Sequence, residues 1–409
     1  MNTLTHLDLF TGIAGFSLEA EKTGRFKTIM TSEIDGYCNK LIDQKWGLEN
    51  AGGVEGVAVR SDIHPDKYLV DEDLVPCEET GFSSICLEDF YDGAIEFPFV
   101  VTGGFPCQSI SSSNTNAEGI DGEFSNLVKE QMRIISALEP KFCIFENSAL
   151  LVGRGLDYIL KELSDLGYIV EWETLTAAAF GYPHYRHRCY IVAYLPEANV
   201  AKMNTRIFDY VRCLVPQSPE WKLPLNQPEH AAEVLDFAVV ENPRSVKLRT
   251  KRINALGNSI IPDIAAALFN AIIAIIDNKF WHIPPATNTY ASLKGQEWVL
   301  ASTGGTTRDH YFKFPASGYM KDGICVSPLD ICRKLNPTKT QYPNLFSTLI
   351  KKDGNNNFTS KSRTSRPGKL GGLIGDLISL GTDTGGLNPE FAEAFMGYSI
   401  GYTELPLNH

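Results

Sequence analysis

The sequence predicts an α/β protein: a doubly wound parallel sheet with a second, smaller, mixed domain. Three observations point there. Short apolar runs alternate with helix-length amphipathic segments over the first 276 residues. Several of those runs break directly into glycine-rich or acidic turns, where open sheets of this class keep their ligand loops. From about residue 281 the texture shifts toward Gly, Thr, Asn and Lys, with fewer clear helices.

In order, HLDLF reads as a buried strand, TGIAG as a tight turn and FSLEAEKTG as a helix stopped by glycine. KTIMTSEI is a second strand ending in an acid, and YCNKLIDQKWG a second helix. FPFVVTGGF is a buried strand that breaks into glycines. NLVKEQMRIISALEP is a helix closed by proline, and KFCIFENS the next strand. LDYILKELSDLGY (helix), CYIVAYLP (strand) and DIAAALFNAIIAIIDN (helix) complete the alternation. Residues 64–98, a long acidic insertion, and 200–250, irregular and proline-containing, interrupt it. The paired prolines of WHIPPATN mark a boundary, giving domains 1–280 and 281–409.

Composition fits this reading. A 409-residue chain that is 43% hydrophobic and 21% charged builds a globular core. No apolar run reaches about 18 residues, so no spanning helix is expected, and the opening MNTLTHLDLF lacks the pattern of a secretory leader. Nine cysteines with no C-x-x-C pair argue against a disulfide framework or a zinc site and suit a reducing cytoplasm. The net charge of −12 speaks against a nucleic-acid partner until it is located. From Lys279 onward there are 14 Lys and Arg against 10 Asp and Glu, so the acidic excess lies before that point. Residues 351–369 hold six basic side chains and one acid, which is either a partner-binding run or an ordinary solvated loop.

Five short segments can carry chemistry. In DLFTGIAGF, Gly12 and Gly15 permit a tight turn and close approach to a ligand, although G-x-G-x-x-G is not met. Glu33, about 20 residues on at the end of the second strand, suits a ribose diol or is a plain surface acid. Asp62 and Ile63 are a weaker candidate of the same kind. In GGFPCQ, Pro106 fixes the backbone before Cys107, which is either a nucleophile or an inert thiol. Glu146-Asn147 closes a strand beside the same crevice, where a carboxyl pKa can rise. Arg186 and Arg188 enter a strand at period-2 spacing, which points both to one face.

Together, DLFTGIAGF, GGFPCQS, ENS, the R-x-R of GYPHYRHR and ALGNS (255–259) resemble the motif series of the cytosine-C5 DNA methyltransferases over roughly residues 5–275. The resemblance implies a Rossmann-like, S-adenosylmethionine-dependent fold that yields S-adenosylhomocysteine and uses no metal. It implies Cys107 as the nucleophile at C6 of a flipped cytosine, Glu146 at N3 and the exocyclic amine, and Arg188 with Arg186 beside the base. The cofactor set it implies is Phe10, Gly12, Gly15, Glu33, Asp62, Ile63, Pro106, Asn126, Leu127, Asn258 and Ser259. Gln108, Ser109, Asn147, Arg363 and Arg366 are implied on the substrate side, and 109–125 as the loop that closes on the flipped base. Departures are Ala14 for a glycine, Ile34 for an aromatic, Ser148 for valine and His184 for glutamine.

The motif order resembles phage- and prophage-type members, because ALGNS comes before the region left for target recognition, 281–386. LNPEFAEAFMGYSIG (387–401) resembles the motif that packs that region onto the catalytic domain. The expected partners are double-stranded DNA and a cognate restriction endonuclease, for a monomeric, bacterial or phage-encoded, nucleoid-associated chain. A transfer-RNA cytosine methyltransferase and an inactive DNA-binding relic are the alternatives. Transfer of methyl to exocyclic nitrogens is disfavoured, since no D/N-P-P-[YFW] element occurs.

Overall fold

A computed structural model describes residues 3–48, 50–57, 85–106, 124–198, 206–215, 221–223, 225, 228–279, 287–295, 297–301, 313–328, 335, 345–356, 358–359 and 371–405. The N-terminal half follows the expected alternation. Strand β1 (Leu4–Leu9) leads to helix α1 (Gly15–Lys22), β2 (Phe26–Ser32) to α2 (Gly36–Trp46), and a short helix α3 (Leu87–Tyr91) precedes β3 (Val100–Gly103). Then come α4 (Phe124–Leu138), β4 (Phe142–Ser148), α5 (Leu156–Asp165), β5 (Ile169–Thr176) and β6 (His187–Tyr194).

Strands β2-β1-β3-β4 are parallel neighbours. The next two are not. β6 runs antiparallel to β4, and β5 antiparallel to β6. The wholly parallel sheet expected from the alternation is therefore corrected from β6 onward, and IVEWETLT, not read as a strand, supplies β5. The reversal matters for the site. It sets Ser148 at the end of β4 opposite Arg188 at the start of β6, so an arginine at a strand's beginning meets a carboxylate at a strand's end.

Alternate residues of each inner strand face opposite layers. Val100, Phe142 and Ile144 enter one apolar cluster; Val101, Cys143 and Phe145 enter the other. The first layer is filled by α1, α2 and α9 (Pro262–Ile276), reached through α6 (Ile207–Leu214), α7 (Pro228–Ala238), β7 (Val239–Val240) and α8 (Arg249–Asn258). Proline at its first turn starts α9, and Ile264, Leu268, Phe269, Ile272 and Ile275 bury it. The second layer is filled by α4 and α5.

Beyond residue 281 four strands continue the same sheet: β8 (Thr287–Lys294), β9 (Glu297–Leu300), β10 (Ser317–Lys321) and β11 (Ile324–Pro328), in the order β5-β10-β11-β8-β9. β10 pairs antiparallel with β5, and the Trp172 indole donates to the Pro315 carbonyl at 2.9 Å. The remaining elements are α10 (Asp353–Asn356), β12 (Phe358–Thr359), α11 (Gly372–Ser379), β13 (Gly385–Leu387) and α12 (Pro389–Met396). β12, β13 and β7 form a small separate sheet. Among the described residues no single helix is long and apolar enough to cross a membrane.

Candidate active site

The site is assembled at one edge of the sheet. Leu9, Gly103 and Phe145 lie side by side in register, so the chain leaves β1, β3 and β4 at the same level. The loops that follow meet there, as strand-end loops do in open sheets of this type.

The loop after β3 is tied to the end of β4. Asn147 Nδ2 donates to the Phe105 carbonyl at 2.9 Å, and Asn147 Oδ1 accepts from Ser148 N at 2.7 Å. This fixes Gly104-Phe105-Pro106, the residues just before Cys107. Gly104 lies close to Glu146: a Cβ there would sit 3.2 Å from Oε2 and would press on the carboxylate. Phe105 is buried and Pro106 is exposed at the lip.

Glu146 is the chemical centre of the described edge. Its Oε1 lies 3.1 Å from Arg188 Nε. Burial pushes its carboxyl pKa up, and the guanidinium groups of Arg188 and Arg186 offset part of that rise. A carboxyl raised in this way is suited to hold a proton and share it with a ring nitrogen. Arg188 also donates to the His187 carbonyl at 3.0 Å, which holds the side chain in its turn toward Glu146.

Arg186 is turned elsewhere. Its φ is 27°, outside the extended range, so the period-2 spacing does not operate and the two arginines do not share a face. It is 3% exposed. Its guanidinium donates to the carbonyls of Gly257 (3.3 Å), Leu349 (3.2 Å) and Ser259. Arg186 thus clamps the Gly-Asn-Ser turn to the 345–350 segment. It reaches Glu146 only as a neighbouring charge.

A second group of loops forms a cradle beside this edge. Phe10, Gly12 and Ala14 all adopt positive φ, at 52°, 58° and 62°, which turns the chain sharply from β1 into α1. Ala14 takes this conformation although it replaces a glycine, at a modest strain. Gly12 N donates to Glu33 Oε2 at 2.6 Å, while Glu33 Oε1 accepts from the backbone N–H groups of Ile34 and Asp35 at 2.9 and 2.8 Å. Glu33 therefore organises the cradle as well as lining it. The residues present suit a nucleoside by their chemistry. A Cβ on Gly12 would meet nothing closer than the Phe10 carbonyl at 4.0 Å, Glu33 is half-buried, and Ile34, 77% exposed, offers an apolar rest for a base. Asn258 is exposed and Ser259 buried on the far side, and Leu127 is half-buried on α4.

The cradle is backed by the C-terminal segment. Tyr402 Oη donates to the Ile13 carbonyl at 2.8 Å and Tyr398 Oη to the Ile260 carbonyl at 3.2 Å. Gly15 is required here, since a Cβ would lie 2.6 Å from Tyr398 Oη and 2.7 Å from Ile260 Cγ1. Buried Glu393 holds the segment in shape, accepting from Arg252 Nη2 (2.9 Å), Gly401 N (2.6 Å) and Thr403 N (2.8 Å). His184 stacks on Phe395 and shares a 3.0 Å hydrogen bond with its carbonyl.

Under the cradle runs a polar chain that the sequence did not announce. Thr102 Oγ1 donates to Asp8 Oδ1 at 2.8 Å, and Ser17 Oγ donates to Asp8 Oδ2 at 2.6 Å. His6 Nε2 lies 2.8 Å from Thr102 Oγ1, and its Nδ1 3.0 Å from Thr28 Oγ1. Burial raises Asp8 to about 7 and lowers His6 to about 3. The only hint in the sequence was a cluster of polar residues in strands that should be wholly apolar.

Among the residues expected at the site, Glu146, Arg188, Asn147 and Pro106 come together at one edge. Phe10, Gly12, Gly15, Glu33 and Ser259 come together at the cradle. Cys107, Gln108, Ser109, Asp62, Ile63, Arg363 and Arg366 lie outside the described residues, as do the 109–123 loop and most of the acidic insertion and the basic run. Asn126 falls in α4, but its side chain lies outside the description.

Residues 87–255 match the family described as C-5 cytosine-specific DNA methylase. Type II methyltransferase M.CviJI of Paramecium bursaria Chlorella virus IL3A is 32% identical over 309 residues, 71% of this chain and 77% of that protein. Type II methyltransferase M2.BsuMI of Bacillus subtilis is 28% identical over 199 residues, 47% of this chain. Type II methyltransferase M1.ScrFI of Lactococcus lactis subsp. cremoris is 30% identical over 192 residues, 46% of this chain. The chain spans only 42% and 41% of the length of these two bacterial relatives.

Proposed function

The chain belongs to the C-5 cytosine-specific DNA methylase family, and we propose that it methylates C5 of a cytosine flipped out of a specific duplex DNA sequence, with S-adenosylmethionine as donor. The observation that carries this reading is the Glu146–Arg188 pair, 3.1 Å apart, beside the anchored Gly104-Phe105-Pro106 turn that leads into Cys107.

The residues act as follows. The Cys107 thiolate bonds through Sγ to C6 of the flipped base, and the ring electron pair shifts toward C5. Glu146, its carboxyl pKa raised by burial, holds a proton at N3 and so draws that electron pair through the ring. Arg188 orients Glu146 and presents its guanidinium to the base O2. When bound, S-adenosylmethionine supplies the electrophilic methyl group. Loss of the C5 proton and departure of Sγ then restore the aromatic ring. Flipping itself costs a few kcal/mol, which contacts to the extruded base and its strand must offset.

Phe10, Gly12, Gly15, Glu33, Ile63, Pro106, Asn126 and Leu127 would hold the donor, with Glu33 at its ribose, Asp62 toward its adenine and Asn258 and Ser259 toward its methionine end. Gln108, Ser109 and Asn147 would serve the substrate side. Residues 281–386, with Arg363 and Arg366, are assigned to target recognition. The setting is the cytoplasm of a bacterium or of a phage-infected cell, in a restriction–modification or protective role, with a cognate endonuclease as partner and the chain as a monomer.

Replacing Cys107 by serine tests the reading. Methyl transfer to duplex DNA is expected to vanish while DNA binding persists; turnover retained by C107S removes the nucleophile from this account.

A further inference from the structure

We propose that the exposed side of α8, together with the turn at 351–352, forms a basic surface that binds the phosphate backbone of duplex DNA. The proposal rests on the DNA reading above and adds a surface that the charge distribution along the chain concealed. By sequence, the basic surplus begins at Lys279, and the body before it is acidic. Yet ENPRSVKLRTKR (241–252), inside that body, has five basic residues and one acid.

The fold sorts these five. Arg249 and Arg252 are buried and bonded inward, Arg249 to the Leu387 and Gly354 carbonyls at 2.8 and 3.2 Å, Arg252 to Glu393. Arg244, Lys247 and Lys251 stay exposed. The chain at 350–354 is then laid directly on α8. A Cβ on Gly257 would run into the backbone of Ile350 and Lys351, with the Ile350 carbonyl oxygen 2.7 Å away. A Cβ on Gly354 would lie 2.6 Å from the Thr250 carbonyl, and Thr250 Oγ1 donates to the Gly354 carbonyl at 3.3 Å. This contact adds exposed Lys351 and Lys352 to the same surface. Two basic segments about 100 residues apart in sequence become one patch.

None of these five exposed cations forms an ion pair among the described residues. Unpaired like charges on one surface repel one another, less so as salt screens them, and a polyanion laid across them removes that repulsion. Its position says which polyanion. The α8 helix ends at exposed Asn258, and Arg186 clamps the Gly257 carbonyl two residues before Arg188, the partner of Glu146. The patch therefore borders the edge into which a flipped base must pass. Duplex DNA carries one charge per roughly 1.7 Å along its axis, and each phosphate neutralised by a lysine releases condensed counterions.

The test is a salt titration of the full chain with its Lys251→Gln/Lys352→Gln variant, on a duplex and on an unrelated duplex of equal length. The slope of log Kd against log salt should shrink by about 2, near 0.9 per lysine, and affinity in 0.1 M salt should fall roughly tenfold on both duplexes. Cofactor affinity should not move, and Tm should hold or rise slightly as the repulsion is relieved. An unchanged slope with normal wild-type binding overturns the surface alone. A loss confined to one sequence, or loss of binding to phosphatidylserine vesicles with DNA binding intact, also overturns it. A wild-type chain that binds no duplex at any salt overturns the substrate reading and this surface with it.

Discussion

Arg186 and Arg188 stand two residues apart, but the structure gives them different work, and replacing each by methionine separates them. In Arg186→Met, the buried carbonyls of Gly257, Leu349 and Ser259 lose their donor. A buried acceptor left unpaired costs roughly 1–3 kcal/mol, so three give a gross loss of about 3–9 kcal/mol. Part is returned, because Arg186 is itself costly to bury: desolvation lowers its pKa to about 9. The net expectation is about 4 kcal/mol of lost stability. It should appear as a lower urea midpoint, followed by tryptophan fluorescence. Cofactor affinity, read by calorimetry, should weaken as well, since the freed turn carries Ser259. Arg188→Met should instead move the urea midpoint less than Arg186→Met does, because Arg188 is partly exposed and the buried Glu146 it leaves, already raised by burial, can take up a proton, and should lose turnover. An Arg186→Met variant within 1 kcal/mol of wild type and with unchanged cofactor binding refutes the clamp.

Three further outcomes are expected. Glu146→Gln should lower kcat by about 10²–10⁴ with cofactor affinity preserved, measured by transfer of labelled methyl; an unchanged kcat removes Glu146 from proton handling. Gly257→Ala should destabilise by about 3 kcal/mol, because its Cβ meets backbone that cannot turn aside, whereas Gly36→Ala, where a Cβ meets nothing within 4 Å, should be neutral or slightly stabilising. Equal midpoints for the two would contradict the packing of 350–351 on α8. Stability should also fall between about pH 6.5 and 8. Burial raises the carboxyls of Asp8, Glu171 and Glu173 to about 7, so the folded chain holds their protons more tightly, and that stability is lost as pH rises through 7. The histidines His6 and His184, lowered to about 3, and His187, lowered to about 4, act in the opposite sense, chiefly below about 6.5 and fading above it as the unfolded imidazoles lose their protons. A urea midpoint that rises from pH 6.5 to 8 contradicts this sign.

The strand ends were legible in the sequence because an apolar run that stops at glycine or an acid carries its own boundary. Glu33, Glu146 and the Gly104-Phe105-Pro106 turn lie where that reading put them. Strand direction was not legible. A strand buried on both faces is apolar throughout, and nothing in its pattern says parallel or antiparallel. β5 escaped notice because Glu171 and Glu173 make it look polar. Their partners are distant in sequence: Glu171 accepts from Tyr194 and from the first N–H groups of α6, and Glu173 from Arg212 and Ser317. The divergence of Arg186 from Arg188 turned on one backbone torsion, which spacing alone does not encode. The tyrosines behind the cradle read as ordinary core residues. Only the fold shows that Tyr398 and Tyr402 reach the Ile260 and Ile13 carbonyls.

The reading proposed for this edge is covalent C5 chemistry on cytosine in duplex DNA. Bisulfite sequencing of DNA from cells expressing the chain, set beside cells expressing C107S, tests it most directly. Protected cytosines are expected at one recurring duplex sequence with the wild-type chain and none with C107S. Protection that persists in C107S, or methyl groups found only on exocyclic nitrogens or only in RNA, would contradict it.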